Sequence, residues 1–137
     1  MLQKLDISNF TTVKGRYIDQ ISLTFETFGK PLHTAPVVLV NHALTGNSTV
    51  CGENGWWKGL SGIGNSIDTD QYTVLSFNIP GNGYDGIEEN LFEAYKIFTA
   101  RDIAAIFALG LQKLSVQKLY AVIGGSVGGG IAWELAV

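Results

Sequence analysis

Gly124-Gly125-Ser126-Val127-Gly128 directly follows the apolar run Leu119-Tyr120-Ala121-Val122-Ile123, and Gly129-Gly130-Ile131-Ala132-Trp133-Glu134-Leu135 comes straight after it. A G-x-S-x-G segment between a buried strand and a helix must turn sharply, and its small residues let one strained serine project its hydroxyl from the sheet. The helix N-terminus that follows favours negative charge at that point. Five residues of such common types also occur in plain glycine-rich turns. The strand before and the helical stretch after favour a nucleophile elbow, with Ser126 as candidate nucleophile and Val127 N–H as one oxyanion-hole donor.

Elsewhere the pattern is that of an open α/β sheet. Ile21-Ser22-Leu23-Thr24-Phe25-Glu26-Thr27-Phe28 alternates apolar and polar residues, which predicts a strand with one buried face, and residues 10–17 are its expected hairpin partner across Gly15. Pro36 to Val40, Tyr72 to Phe77 and Leu119 to Ile123 are short and apolar, as in parallel strands covered on both faces. Residues 55–67, with Trp56, Trp57, Leu60 and Ile63, are expected to hold a short helix despite their glycines. A firmer helix begins at Thr99-Ala100-Arg101-Asp102, a capping-box start, and carries Ile103, Ile106, Phe107, Leu111 and Leu114 on roughly one face. The fold class expected is α/β: a mostly parallel sheet with an antiparallel N-terminal hairpin, its ligand site at the carboxyl ends of the strands. Such a sheet would be about half built at Val137, so 1–137 is expected to be the N-terminal part of one domain.

Composition narrows the function. With 137 residues, 46% apolar, the chain can bury a core. A formal charge of −3 and nine scattered Lys and Arg argue against a nucleic-acid or anionic-membrane surface. The first residues lack a signal-peptide core, and no apolar run approaches the roughly 18 residues of a membrane span. The expected location is the cytoplasm, where the acceptor-like triplets at Asn9 and Asn47 carry no glycan. The single cysteine, Cys51, has no internal disulfide partner and no cysteine-protease signature around it.

Asn41-His42-Ala43-Leu44-Thr45-Gly46 follows the strand ending at Val40, the place from which a hydrolase sheet supplies the second oxyanion amide; Leu44 N–H is the candidate. His42 is not the expected base, because in that chain order the serine precedes the acid and the acid precedes the histidine. His42 is read as packing at a strand end, and His33 as a surface turn residue. Gly81-Asn82-Gly83-Tyr84-Asp85-Gly86 spells G-x-G-x-x-G, but Pro80 intervenes and no apolar helix opens at Gly86, so it reads as a glycine-rich turn at the rim of the site. No His, Cys and carboxylate set has metal-ligand spacing, so neither a metal nor a bound cofactor is expected.

Five blocks in order resemble the homoserine O-acetyltransferases of the α/β-hydrolase fold and their serine-acylating relatives. They are His42 to Gly46; Gly55-Trp56-Trp57 with Gly62-Ile63-Gly64; Ile67 to Tyr72; Thr99 to Asp102; and Ala121 to Gly129. The resemblance implies a ping-pong transferase of methionine biosynthesis, in which Ser126 takes an acyl group from the co-substrate acyl-CoA and passes it to the hydroxyl of homoserine or a similar amino acid. It also implies a homodimer of the intact protein, and an acid, a histidine, a lid and a substrate-carboxylate arginine beyond Val137. Arg101 is not assigned that last role; it is expected to cap or pair locally. Where the family carries a Gly-Gly-rich segment ending in Gly-Ser-Thr-Gly-Pro, this chain has Asn78 to Gly86, which puts donor and acceptor preference in question. The alternatives are a carboxylester hydrolase on the same scaffold and a non-catalytic relative acting as an interaction module.

Overall fold

The computed structural model describes residues 1–92 and 95–137. Five strands form one twisted sheet: β1 (Gln3–Thr11), β2 (Tyr17–Gly29), β3 (Val37–Asn41), β6 (Thr73–Phe77) and β7 (Ala121–Gly124), in the order β1-β2-β6-β3-β7. Two residue pairs, β4 (Ser61–Gly62) and β5 (Ile67–Asp68), make a separate parallel ladder. The helices are α1 (Ala100–Lys113) and α2 (Val127–Ala136).

β2 is antiparallel to both β1 and β6, while β3 runs parallel to β6 on one side and to β7 on the other. Four of the sheet's strands therefore point the same way, with β2 reversed. The chain leaves β3 to one side for β6, then crosses back through α1 to β7 on the other side. That reversal opens a crevice beyond the carboxyl end of β3, where ligands of open α/β sheets bind.

The residues of β3 and β6 are buried throughout, as expected of largely apolar strands covered on both faces. Leu39, Leu75 and Phe77 face a core with Ile103, Ile106 and Phe107 of α1 and Ile131 of α2. Val38, Val40 and Val74 face the other way, against Val50, Cys51 and Ile67. Helix α1 starts as expected: Thr99 Oγ1 accepts from Asp102 N at 3.2 Å, and Asp102 Oδ2 accepts from Thr99 N at 2.8 Å. Asp102 Oδ1 also accepts from Val13 N at 2.7 Å, so one buried carboxylate ties the helix start to the β1–β2 turn.

Three expectations are corrected. The helix expected over 55–67 is a series of turns carrying β4 and β5. A Cβ on Gly55 would sit 2.4 Å from the Val50 carbonyl oxygen, so the backbone here is pressed against its neighbour too closely for a helix with side chains. The partner of β2 starts at Gln3 rather than Phe10; residues 10–17 supply only the end of that strand and the turn, with Gly15 at φ 83°. The second half of β2 is buried on both faces, because Thr24 and Glu26 are covered by loops from the ends of β3 and β6.

Candidate functional site

Ser126 lies between β7 and α2 with φ 56° and ψ −125°, a conformation that L-residues adopt only under compulsion. The compulsion comes from its neighbours. A Cβ on Gly124 would meet the Gly128 carbonyl oxygen at 2.1 Å, and one on Gly128 would meet the Asn41 carbonyl oxygen at 2.3 Å. The glycines thus let α2 press against both β7 and the end of β3, and Ser126 in the turn between them takes a positive φ. Gly128 N donates to Gly125 O at 2.9 Å and Gly129 N to Ser126 O at 3.0 Å, which closes the first turn of α2. The Ser126 side chain is exposed and makes no capping bond to its own helix.

The loop after β3 comes to the same place. Leu44 and Val127 line one cavity of about 160 Å³, together with Ile79, Pro80 and Phe98. Among the described residues, neither the Leu44 nor the Val127 amide donates a hydrogen bond to a protein acceptor. Two unspent N–H groups beside an exposed serine are the raw material of an oxyanion hole.

His42 is fully buried and holds this loop. Its Nε2 accepts from Ile79 N at 3.0 Å, which requires the proton on Nδ1, and Nδ1 donates to Ala43 O at 2.5 Å. Both ring nitrogens are spent on the backbone, and burial lowers the pKa, against a smaller opposing effect of the Ala43 carbonyl. A neutral, doubly engaged imidazole is a brace and cannot serve as the base for Ser126.

A buried polar network fixes the far side of the loop. Glu26 Oε2 accepts from the hydroxyls of Ser48 at 2.8 Å and Thr49 at 2.7 Å. Ser48 N donates to Asn78 Oδ1 at 2.8 Å, and Asn78 Nδ2 donates to Thr24 Oγ1 at 2.9 Å. The Thr24 hydroxyl in turn donates to Asp85 Oδ2 at 2.8 Å. Sequence reasoning missed Glu26, Asn78 and Asp85 as supports; the one available signal was an acid at position 26 inside a strand otherwise rich in apolar residues.

The remaining candidates fall outside the site. The Cys51 thiol is buried 2.7 Å from the Ser61 hydroxyl, and burial pushes its pKa up, the reverse of what a thiolate nucleophile needs. His33 is an exposed turn residue at φ 70°. Arg101 pairs with Glu134 at 3.0 Å, linking α1 to α2 on the surface. Gly81, Gly83 and Gly86 all have positive φ and lead into a three-residue 3-10 turn, Glu88–Asn90, not into a phosphate-binding helix. Among the described residues no group of three or more His, Cys, Asp or Glu could hold a metal ion, and no helix is long and apolar enough to cross a membrane.

A serine forced to positive φ between a sheet strand and a glycine-packed helix, facing the loop after a neighbouring parallel strand, defines the class: the chain belongs to the alpha/beta hydrolase fold family, whose model matches residues 36–137. Within that class it is similar to the homoserine O-acetyltransferase of Geobacter sulfurreducens, 33% identical over 141 residues that cover 89% of this chain and 38% of that protein. Among solved structures it superposes on homoserine O-acetyltransferase from Bacillus anthracis with TM-score 0.85 and 27% identity, covering 99% of this chain and 42% of that one. Esterase E22 superposes with TM-score 0.79 and 27% identity over 96% of this chain and 43% of that one. The chain therefore spans about two fifths of the length of the relatives it matches.

Proposed function

We propose that the intact protein is an acyltransferase that moves an acetyl or other acyl group from acyl-CoA to the hydroxyl of homoserine or a similar amino acid. The observation that carries the reading is the strained Ser126 set beside the unspent amides of Leu44 and Val127, which share one cavity. The names of the relatives point to the same chemistry.

In this mechanism a base takes the Ser126 hydroxyl proton as Oγ attacks the thioester carbonyl. The oxyanion forms against the two amides, the C–S bond breaks and the protonated thiol leaves. The amino-acid hydroxyl then attacks the acyl-serine ester, loses its own proton to the base, and Ser126 Oγ departs with a proton. Two fixed donors of this kind are each worth about 3–4 kcal/mol of barrier. His42 is excluded as base by its backbone bonds, and the reading takes the acid and histidine of a triad from the part of the relatives' length that this chain does not span. The reading carries with it acyl-CoA as a co-substrate with no bound cofactor, a place in methionine biosynthesis, a cytoplasmic setting and a homodimer.

A carboxylester hydrolase is the second reading, favoured by the likeness to esterase E22, with water in place of the amino acid. Incubating the full-length protein with acetyl-CoA, with and without homoserine, separates the two. O-acetylhomoserine formed in preference to free acetate, and lost in Ser126→Ala, is the expected result; acetate release indifferent to homoserine supports the esterase. The 137-residue chain alone is expected to turn over negligibly in the same assay.

A further inference from the structure

Glu26 is a buried acid inside a strand, 8% exposed and one residue after Phe25 of the core. A carboxylate is costly to bury unless hydrogen bonds meet its charge. Here Oε2 accepts from the hydroxyls of two consecutive loop residues, Ser48 at 2.8 Å and Thr49 at 2.7 Å, and Oε1 stands 3.8 Å from the α-ammonium group of Met1. Bonds to an ionised acceptor are roughly twice as strong as neutral ones. Ser48 is gripped from its other side as well: its N–H donates to Asn78 Oδ1 at 2.8 Å, and its hydroxyl accepts from Asn78 Nδ2 at 3.0 Å. All of these Ser48 bonds are buried, so water does not compete for them.

What this grip holds is one end of a short, tight segment. The other end is fixed by His42, whose Nε2 accepts from Ile79 N at 3.0 Å. Between them the backbone turns where Gly46 N donates to Ala43 O at 2.8 Å, so closely that a Cβ on Gly46 would meet His42 Cβ at 2.9 Å, and Asn82 Nδ2 adds a longer bond of 3.3 Å to Gly46 O. Leu44 and Thr45 at the tip are exposed, and the Leu44 amide has no protein acceptor among the described residues to set its direction. Its aim is therefore inherited from the two ends. We propose that Glu26 is a positioning residue for the oxyanion loop: by accepting from Ser48 and Thr49 it fixes the far end of residues 42–48 and so aims Leu44 N–H at the oxyanion formed on Ser126. The inference rests on the roles of Ser126 and Leu44 proposed above.

Single-turnover acylation of Ser126 by p-nitrophenyl acetate in the full-length protein, followed over a range of ester concentrations, gives a limiting rate constant and a half-saturation concentration. Glu26→Ala is expected to lower the rate constant by about tenfold to a hundredfold, the scale of a reacting geometry displaced from a distance, with half-saturation unchanged. Glu26→Gln keeps an oxygen able to accept both hydroxyls and is expected to stay within about threefold of wild type. Should Glu26→Ala fail to fold, Thr49→Val removes one hydroxyl at nearly constant shape and Thr49→Ser restores it, so a loss in the first and recovery in the second is expected. A role in stability alone lowers the unfolding midpoint and leaves the folded enzyme's rate constant as it was; that result overturns the proposal, as does a loss in Glu26→Gln as large as in Glu26→Ala. A readout free of the chemistry comes from isotope-labelled leucine and valine in a Ser126→Ala background: Glu26→Ala is expected to move the Leu44 amide signal and leave that of Val127, and an unmoved Leu44 signal overturns the proposal. If the wild-type protein is never acylated, the nucleophile reading falls, and the Leu44 signal alone decides whether Glu26 sets this loop.

Discussion

Ser126 holds its conformation at a cost of about 1–3 kcal/mol, the usual strain of a non-glycine residue in a glycine region of backbone space. Ser126→Gly removes that strain at an entropic cost of about 0.5–1 kcal/mol in the unfolded chain, so a net gain of about 1 kcal/mol in urea unfolding is expected, with loss of any acyl adduct. Ser126→Ala keeps the strain and should show the loss without the gain. His42 gives a prediction of the opposite kind. Its folded pKa lies below its ordinary value, so between the two the unfolded chain binds more protons than the folded one. Its contribution to stability is fully present above about pH 6.5 and is lost as pH falls through the interval down to the folded pKa. The urea midpoint is expected to drop over that interval in the wild-type chain and to drop less in His42→Gln, while NMR titration of the wild-type ring is expected to give a pKa below the ordinary value.

Among the elements, α1 depends most on a single side chain. Asp102 accepts from Thr99 N and from Val13 N while 1% exposed, so Asp102→Ala removes a cap and strands a distant backbone donor together. A loss of about 2–4 kcal/mol in denaturant unfolding is expected, and a smaller one for Asp102→Asn, which keeps an acceptor. This helix was legible in the sequence because its start and its apolar stripe are local signals. Residues 55–67 were not, because their path follows from Gly55 pressed against Val50 and Cys51, a contact that no periodicity encodes. β2 was half legible: alternation identified the strand, but its polar face is sealed by loops that only the tertiary fold brings there.

At the scale of the molecule, the same division holds for the site. Ser126 could be read from five neighbouring residues, whereas its meeting with Leu44 depends on β3 and β7 being adjacent, a matter of topology that the spacing of apolar runs supports but does not display. The Glu26 network, which draws on β2, the loop after β3 and the loop after β6, has no local signature at all. The strand order carries one more consequence. β3 is hydrogen-bonded along both edges by strands that lie later in the chain, so when Val37 to Asn41 leave the ribosome neither partner has yet emerged. The most apolar ribbon of the protein, the one from which the serine's opposite loop hangs, must wait with both edges bare. A nascent chain built this way closes its centre late and by long loops, which makes folding slow and gives any holding chaperone a natural first address at the middle of the sheet.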